Sequence, residues 1–123
     1  MSGHVLVVDD DDDIREGIVD ALRDEGYDVA QAWNGEDALA KLSAMRDTPC
    51  VMLLDLMMPL MDGFELMDAL EKRETRGPKK GNFPIIVMTA HPDAQPPQAR
   101  RVLRKPLGLD TILSVVHEFC TPG

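Results

Sequence analysis

The chain has 123 residues, enough for one domain with a real core and too few for a second folded unit, so a single domain over 1–123 without an output domain is expected. Lys and Arg number 13 against 22 Asp and Glu, a net charge of −9, and the basic residues are scattered apart from Arg100-Arg101 and Arg104-Lys105, which argues against direct nucleic-acid binding. No apolar run approaches the roughly 18 residues of a membrane span and no basic leader precedes a long hydrophobic stretch, so the reading is cytoplasmic with no membrane partner.

The apolar runs Val5 to Val8, Val51 to Leu54 and Ile85 to Met88 are too short for helices and too continuous for half-exposed strands, so they predict central strands covered on both faces. After the first run, Asp11, Asp12 and Asp13 cap or start a helix, where negative charge suits the dipole. Its inward face is predicted at Ile14, Ile18, Ala21 and Leu22, and Gly26 closes it. A weaker strand follows from Tyr27 to Ala32. The next helix, from Gly35 to Met45, is capped by Asn34 and buries Leu39 and Leu42.

Cys50 precedes the second apolar run. It and Cys120, the two cysteines, make no metal-ligand spacing and are expected to stay reduced, with Cys50 as buried packing. Another helix follows Asp62 with Phe64, Met67 and Leu70 inward, and Glu71 to Pro84 reads as a solvated loop. The last strand is Arg101 to Arg104. A final helix carries Leu109, Ile112, Leu113, Val116 and Phe119 at helical spacing. Alternating strands and helices predict a doubly wound α/β sheet.

Charged residues stand where the strand-like runs end: Asp9 and Asp10 after the first, Asp55 after the third, Lys105 after the last. The strand ends of such a sheet meet in one crevice. Carboxylates gathered there repel unless a cation sits among them, and a lysine adds a positive charge for an anionic group. Hard oxygen ligands suit Mg²⁺. Asp55 is the candidate nucleophile, since a carboxylate oxygen can take a phosphoryl group as an acyl phosphate. A strand-end cap would be the bland alternative, but it does not explain a charge directly after so apolar a run.

Asp9-Asp10, the stretch Asp55-Leu56-Met57-Met58-Pro59-Leu60-Met61-Asp62-Gly63, Thr89-Ala90 and Lys105-Pro106 together resemble the receiver domain of two-component response regulators, in the right order over nearly the whole chain. The resemblance implies a flavodoxin-like five-stranded parallel sheet of order 2-1-3-4-5 and a phosphorelay role. Asp55 would be the phosphoacceptor, and Thr89 the hydroxyl that bonds the phosphoryl oxygens. Asp10 would bind Mg²⁺ directly, Asp9 largely through water, and Met57 through its backbone carbonyl. The implied partners are a histidine kinase or histidine phosphotransfer protein and a downstream protein target. The Lys105-Pro106 bond is typically cis in the family, and the positions of Met57 and His91 influence how water reaches the acyl phosphate.

The chain also departs from the family. Pro92, Pro96 and Pro97 crowd the crossover over residues 90–100, and proline in a helix interior costs about 3 kcal/mol. The fourth helix of an ordinary receiver should be missing or reduced to a turn. Val102 occupies the place of the usual aromatic switch, which puts the readout in doubt without touching the phosphorylation chemistry. A constitutive interaction module that has kept the site but lost switching is the alternative. A small phosphatase-like hydrolase is disfavoured, because no second domain covers a substrate pocket and no Asp-x-Asp pair occurs at Asp55.

Overall fold

The computed structural model describes residues 4–45, 48–56, 62–76, 83–91 and 93–120. In chain order the elements are β1 (His4–Val8), α1 (Asp12–Asp24), β2 (Asp28–Ala32), α2 (Gly35–Ala44), β3 (Val51–Asp55), α3 (Gly63–Arg76), β4 (Ile85–Thr89), β5 (Arg101–Arg104) and α4 (Leu109–Phe119). The five strands form one parallel sheet in the order β2-β1-β3-β4-β5, as expected.

Period-two alternation in the central strands feeds two separate cores. Val5, Val7, Val51, Leu53, Ile86 and Met88 face α1 and α4, where they meet Ile18, Val19 and Leu22 and then Ile112, Val115 and Val116. Leu6, Val8, Met52, Leu54, Ile85 and Val87 face α2 and α3, against Ala38, Leu42, Leu66, Met67 and Leu70. The sheet is thus the middle of three layers. Its edge strands β2 and β5 are correspondingly less buried than the centre.

Local signals set the helix ends. The Asp11 side chain accepts the Ile14 amide at 3.1 Å, and Asp12 and Asp13 lie in the first turn of α1. Past its end Gly26 takes a φ of 95°, a conformation that costs glycine little. Asn34 accepts the Asp37 amide at 2.8 Å to cap α2. At α3, Asp62 and Glu65 form a reciprocal capping box, with the Glu65 amide 2.9 Å from Asp62 Oδ1 and the Asp62 amide 3.3 Å from Glu65 Oε1.

The crossover from β4 to β5 carries no helix among its described residues, in keeping with its prolines. It still covers the sheet. Pro96 is buried, and Ala94 and Ala99 pack against the core that α2 and α3 share.

Three sets of expectations need correction. Ile14, Phe64 and Leu109 are exposed rather than inward, because each helix turns its stripe toward later residues: Ile18 and Val19, Leu66 and Met67, Ile112 and Val115. Residues 71–76, read as loop, continue α3, since the chain offers good helix formers up to the Gly77-Pro78 breaker. Residues 77–82 lie outside the described set. Cys50 is not a free buried thiol but half-buried and disulfide-bonded to Cys120. Their Cα atoms are 5.6 Å apart, within bridging range, although 70 positions separate them in sequence.

Candidate functional site

Parallel pairing lines up the strand ends. Asp55 closes β3 opposite Met88, Thr89 closes β4 opposite Arg104, and Asp9 and Lys105 directly follow β1 and β5. Leu54, next to last in β3, lies beside Val8 at the end of β1. Four residues scattered along the sequence therefore share one rim of the sheet, where the strand order reverses about β1 and β3.

Asp9, Asp55 and Thr89 are buried there, while Asp10 is exposed and Lys105 half-buried. Asp9, Asp10 and Asp55 each offer a carboxylate oxygen within 4.8 Å of the others. Lys105 Nζ lies 3.3 Å from Asp9 Oδ2 and 3.6 Å from Asp55 Oδ2, so a single ammonium serves two carboxylates. Hard, anionic oxygens in this number fit a small divalent cation such as Mg²⁺, which takes one or two carboxylates with substrate oxygens and water. Met57 lies outside the described residues, as do Met58, Met61 and Pro92.

Thr89 is fixed from both sides of its Cα. Its hydroxyl oxygen accepts the His91 amide at 3.0 Å, and its carbonyl accepts the Lys105 amide at 2.8 Å. The Lys105-Pro106 peptide bond is cis.

One supporting residue escaped the sequence reading, and a second, Gly63, was read only as part of the motif. Arg15, buried on α1, donates to the Asp9 carbonyl at 2.9 Å, to Gln31 Oε1 at 2.9 Å and to Asp12 Oδ1 at 2.6 Å. It braces the turn that presents Asp9 and Asp10, and the Asp9 carboxylate further accepts the Asp11 amide at 2.9 Å. An arginine next to the apolar positions of an amphipathic helix was the available signal, although Arg23 on the same helix carries it too. Gly63 starts α3 against the backbone that leaves Asp55: a Cβ there would stand 2.8 Å from Leu56 Cα and 3.0 Å from the Asp55 carbonyl oxygen.

Beside the site an apolar cleft of about 380 Å³ opens between α1 and the start of α4. Its lining includes Ile14, Ile18, Met88, Pro106 and Leu109, with Lys105 at the junction. The exposure of Ile14 and Leu109 belongs to this cleft.

Comparison with known proteins agrees with the geometry. The response regulator receiver domain family matches residues 5–117. An uncharacterised 14.6 kDa protein of Leptolyngbya boryana is 34% identical over 122 residues, covering 94% of this chain and 88% of that protein. Response regulator RR06 of Streptococcus pneumoniae serotype 2 is 40% identical over 88 residues, 71% of this chain, and the match spans 36% of that longer protein. Among solved structures, response regulator protein TrrA of Thermotoga maritima, in complex with Mg²⁺-BeF, superposes with a TM-score of 0.78 at 29% identity, covering 97% of this chain and 99% of that one.

Proposed function

The chain belongs to the response regulator receiver family, and from that premise we propose that it is a phosphorelay receiver of 1–123 whose Asp55 takes a phosphoryl group from a phosphohistidine donor. The observation that carries this reading is the cluster of Asp9, Asp10 and Asp55 oxygens within 4.8 Å, with Lys105 reaching two of the three. It is a signalling receiver rather than an enzyme acting on a separate metabolite.

The proposed metal ligands for Mg²⁺ are Asp9, Asp10, Asp55 and the Met57 carbonyl. When bound, Mg²⁺ would neutralise carboxylate charge and draw phosphoryl oxygens into the crevice. An Asp55 carboxylate oxygen attacks phosphorus, the P–N bond of the donor breaks with its electron pair passing to nitrogen, and the donor ring, already protonated on its other nitrogen, leaves as neutral imidazole. Lys105 stands beside the arriving oxygens and offsets their charge, and the Thr89 hydroxyl donates to one of them. Phosphoryl transfer needs this positioning and neutralisation more than further covalent machinery.

The donor would be a histidine kinase or histidine phosphotransfer protein, seated on the apolar cleft that flanks Lys105, and the output a protein–protein contact. The Thermotoga protein, solved in complex with Mg²⁺-BeF, supports the reading of a Mg²⁺ site in this chain. A cytoplasmic location suits a donor charged from ATP, and no described helix is long and apolar enough to cross a membrane. Incubation with a small phosphodonor and Mg²⁺ tests the reading: the parent should gain one acid-labile, hydroxylamine-sensitive label and Asp55→Asn none. Label that persists on the variant refutes the assignment.

A further inference from the structure

The Cys50–Cys120 bond lies at the pole of the sheet opposite the phosphorylation crevice. Cys50 immediately precedes β3, its amide donating to the His4 carbonyl at 2.8 Å at the start of β1. Cys120 caps α4 and donates its amide to Val116. One bond thereby ties together the far ends of β3, which ends in Asp55, and of α4, which begins just past Lys105. We propose that Cys50–Cys120 is a reversible redox element, opened by a dithiol reductant, that governs how firmly the last turn of α4 is held to the sheet. Its regulatory meaning rests on the cytoplasmic reading above, because disulfides in a reducing compartment are mostly transient or redox-sensing.

The sulfurs are unequal in the way such exchange needs. Cys50 is half-buried whereas Cys120 is 4% exposed, so Cys50 is the more accessible residue of the pair and its sulfur is assigned as the point of attack. Attack there forms a mixed disulfide and breaks the bond to Cys120, whose sulfur keeps the electron pair and takes up a proton. The second thiol of the reductant, deprotonated, then attacks its own bonded sulfur, closes a cyclic disulfide and releases Cys50 as thiolate, which is protonated in turn. Two electrons pass from the dithiol to the protein. The chain has two cysteines, so no rival pairing within it competes.

Opening the bond does not strip α4 of its other ties. The Tyr27 hydroxyl donates to the Cys120 carbonyl at 3.2 Å and shares a hydrogen bond with His117 Nδ1 at 2.9 Å. Burial, with Glu25 nearby, pushes that hydroxyl above the usual phenol range, so it keeps its proton. Arg101 pairs with Glu118 and stacks on the Phe119 ring, 5.6 Å from its centroid. The reduced chain therefore stays folded with a looser final turn, and the surface that changes carries Glu118, Phe119, Arg100 and Arg101.

The test uses the folded chain without phosphodonor or Mg²⁺, so its failure is separable from failure of the Asp55 reading. The protein is equilibrated in graded ratios of reduced to oxidised dithiothreitol, thiols are counted by alkylation and mass, and amide exchange is followed. Reversible two-thiol titration without denaturant is expected, with exchange over residues 115–120 about tenfold faster in the reduced form and the sheet unchanged. Cys50→Ser/Cys120→Ser should fold and reproduce the reduced pattern. A bond that opens only in denaturant, reduction that unfolds the chain, a double variant that fails to fold, or unchanged exchange over residues 115–120 each overturns the proposal.

Discussion

Lys105 Nζ stands 3.3 Å from Asp9 Oδ2, a contact between residues 96 positions apart that joins the ends of β5 and β1 across the crevice. The same ammonium lies 3.6 Å from Asp55 Oδ2, so it occupies space a divalent cation would claim and competes with it for the same oxygens. Lys105→Met is therefore expected to act in two directions. Mg²⁺ affinity should rise by up to about fivefold, the equivalent of one screened ion pair of about 1 kcal/mol. Phosphorylation of Asp55 should slow on the order of 100-fold through loss of charge stabilisation. Calorimetric titration and phosphodonor kinetics read the two effects, and a parallel fall in both would show that Lys105 acts only by holding the fold.

The acidic run offers a sharper separation of roles. Asp10→Ala should weaken Mg²⁺ binding by at least about tenfold, since a hard ligand is lost. Asp12→Ala should leave it nearly unchanged, because Asp12 spends its carboxylate on Arg15 at 2.6 Å. The reverse order of effects would move the metal site along the chain.

Two glycines predict opposite signs. A Cβ on Gly63 would meet Leu56 Cα at 2.8 Å, so Gly63→Ala should cost about 1–3 kcal/mol through overpacking at the root of α3. Gly17 lies inside α1 with nothing within 4 Å of an added Cβ, and Gly17→Ala should stabilise by about 0.5–1 kcal/mol. Urea denaturation of the two variants checks both signs.

Ile14 concerns the donor. Exposed and lining the cleft beside Lys105, it adds apolar surface that a phosphohistidine protein can bury on the way to Asp55. Ile14→Arg should slow transfer from a phosphotransfer protein about tenfold and leave transfer from acetyl phosphate unchanged. Equal slowing with both donors would place the effect on the chemistry instead.

Strand placement was legible because β1, β3 and β4 bury both faces, so their apolar runs needed no periodicity to be recognised. Charge at the end of such runs is costly to place, which made Asp9, Asp55 and Lys105 readable as a site. Local caps at Asp11 and Asn34 were readable because each acts within three residues, whereas the Asp62–Glu65 capping box was not read. What escaped depends on long-range packing. A rotation of each helix by a fraction of a turn separates Ile14 from Ile18, and no local pattern sets that rotation. The Cys50–Cys120 bond is equally hidden, since only the finished sheet brings the start of β3 to the end of α4. Arg15 was missed because an arginine in an amphipathic helix usually reaches solvent, whereas here Asp9 and Gln31 give it buried acceptors.

The β4–β5 crossover decides whether the site still signals. Its backbone is pinned near β5 by the Ala99 amide to Pro96 and the Arg100 amide to Ile85, at 3.1 and 2.8 Å. At the β4 end the Thr89 hydroxyl holds the His91 amide, and the same hydroxyl is the group proposed to donate to the phosphoryl oxygens. A phosphoryl group on Asp55 thus loads one end of a loop whose other end is fixed, and Val102 offers no aromatic swing to carry the signal elsewhere. The change should appear as altered order at His91 and over residues 93–95, driven by the different contacts the phosphoryl group makes with the two loop states. Hydrogen exchange with and without a beryllofluoride mimic in Mg²⁺ measures it: protection should rise at His91 and over residues 93–95 and stay constant at 99–100. Identical exchange in both states, with the mimic bound, would favour a constitutive module that keeps the receiver site without its switch.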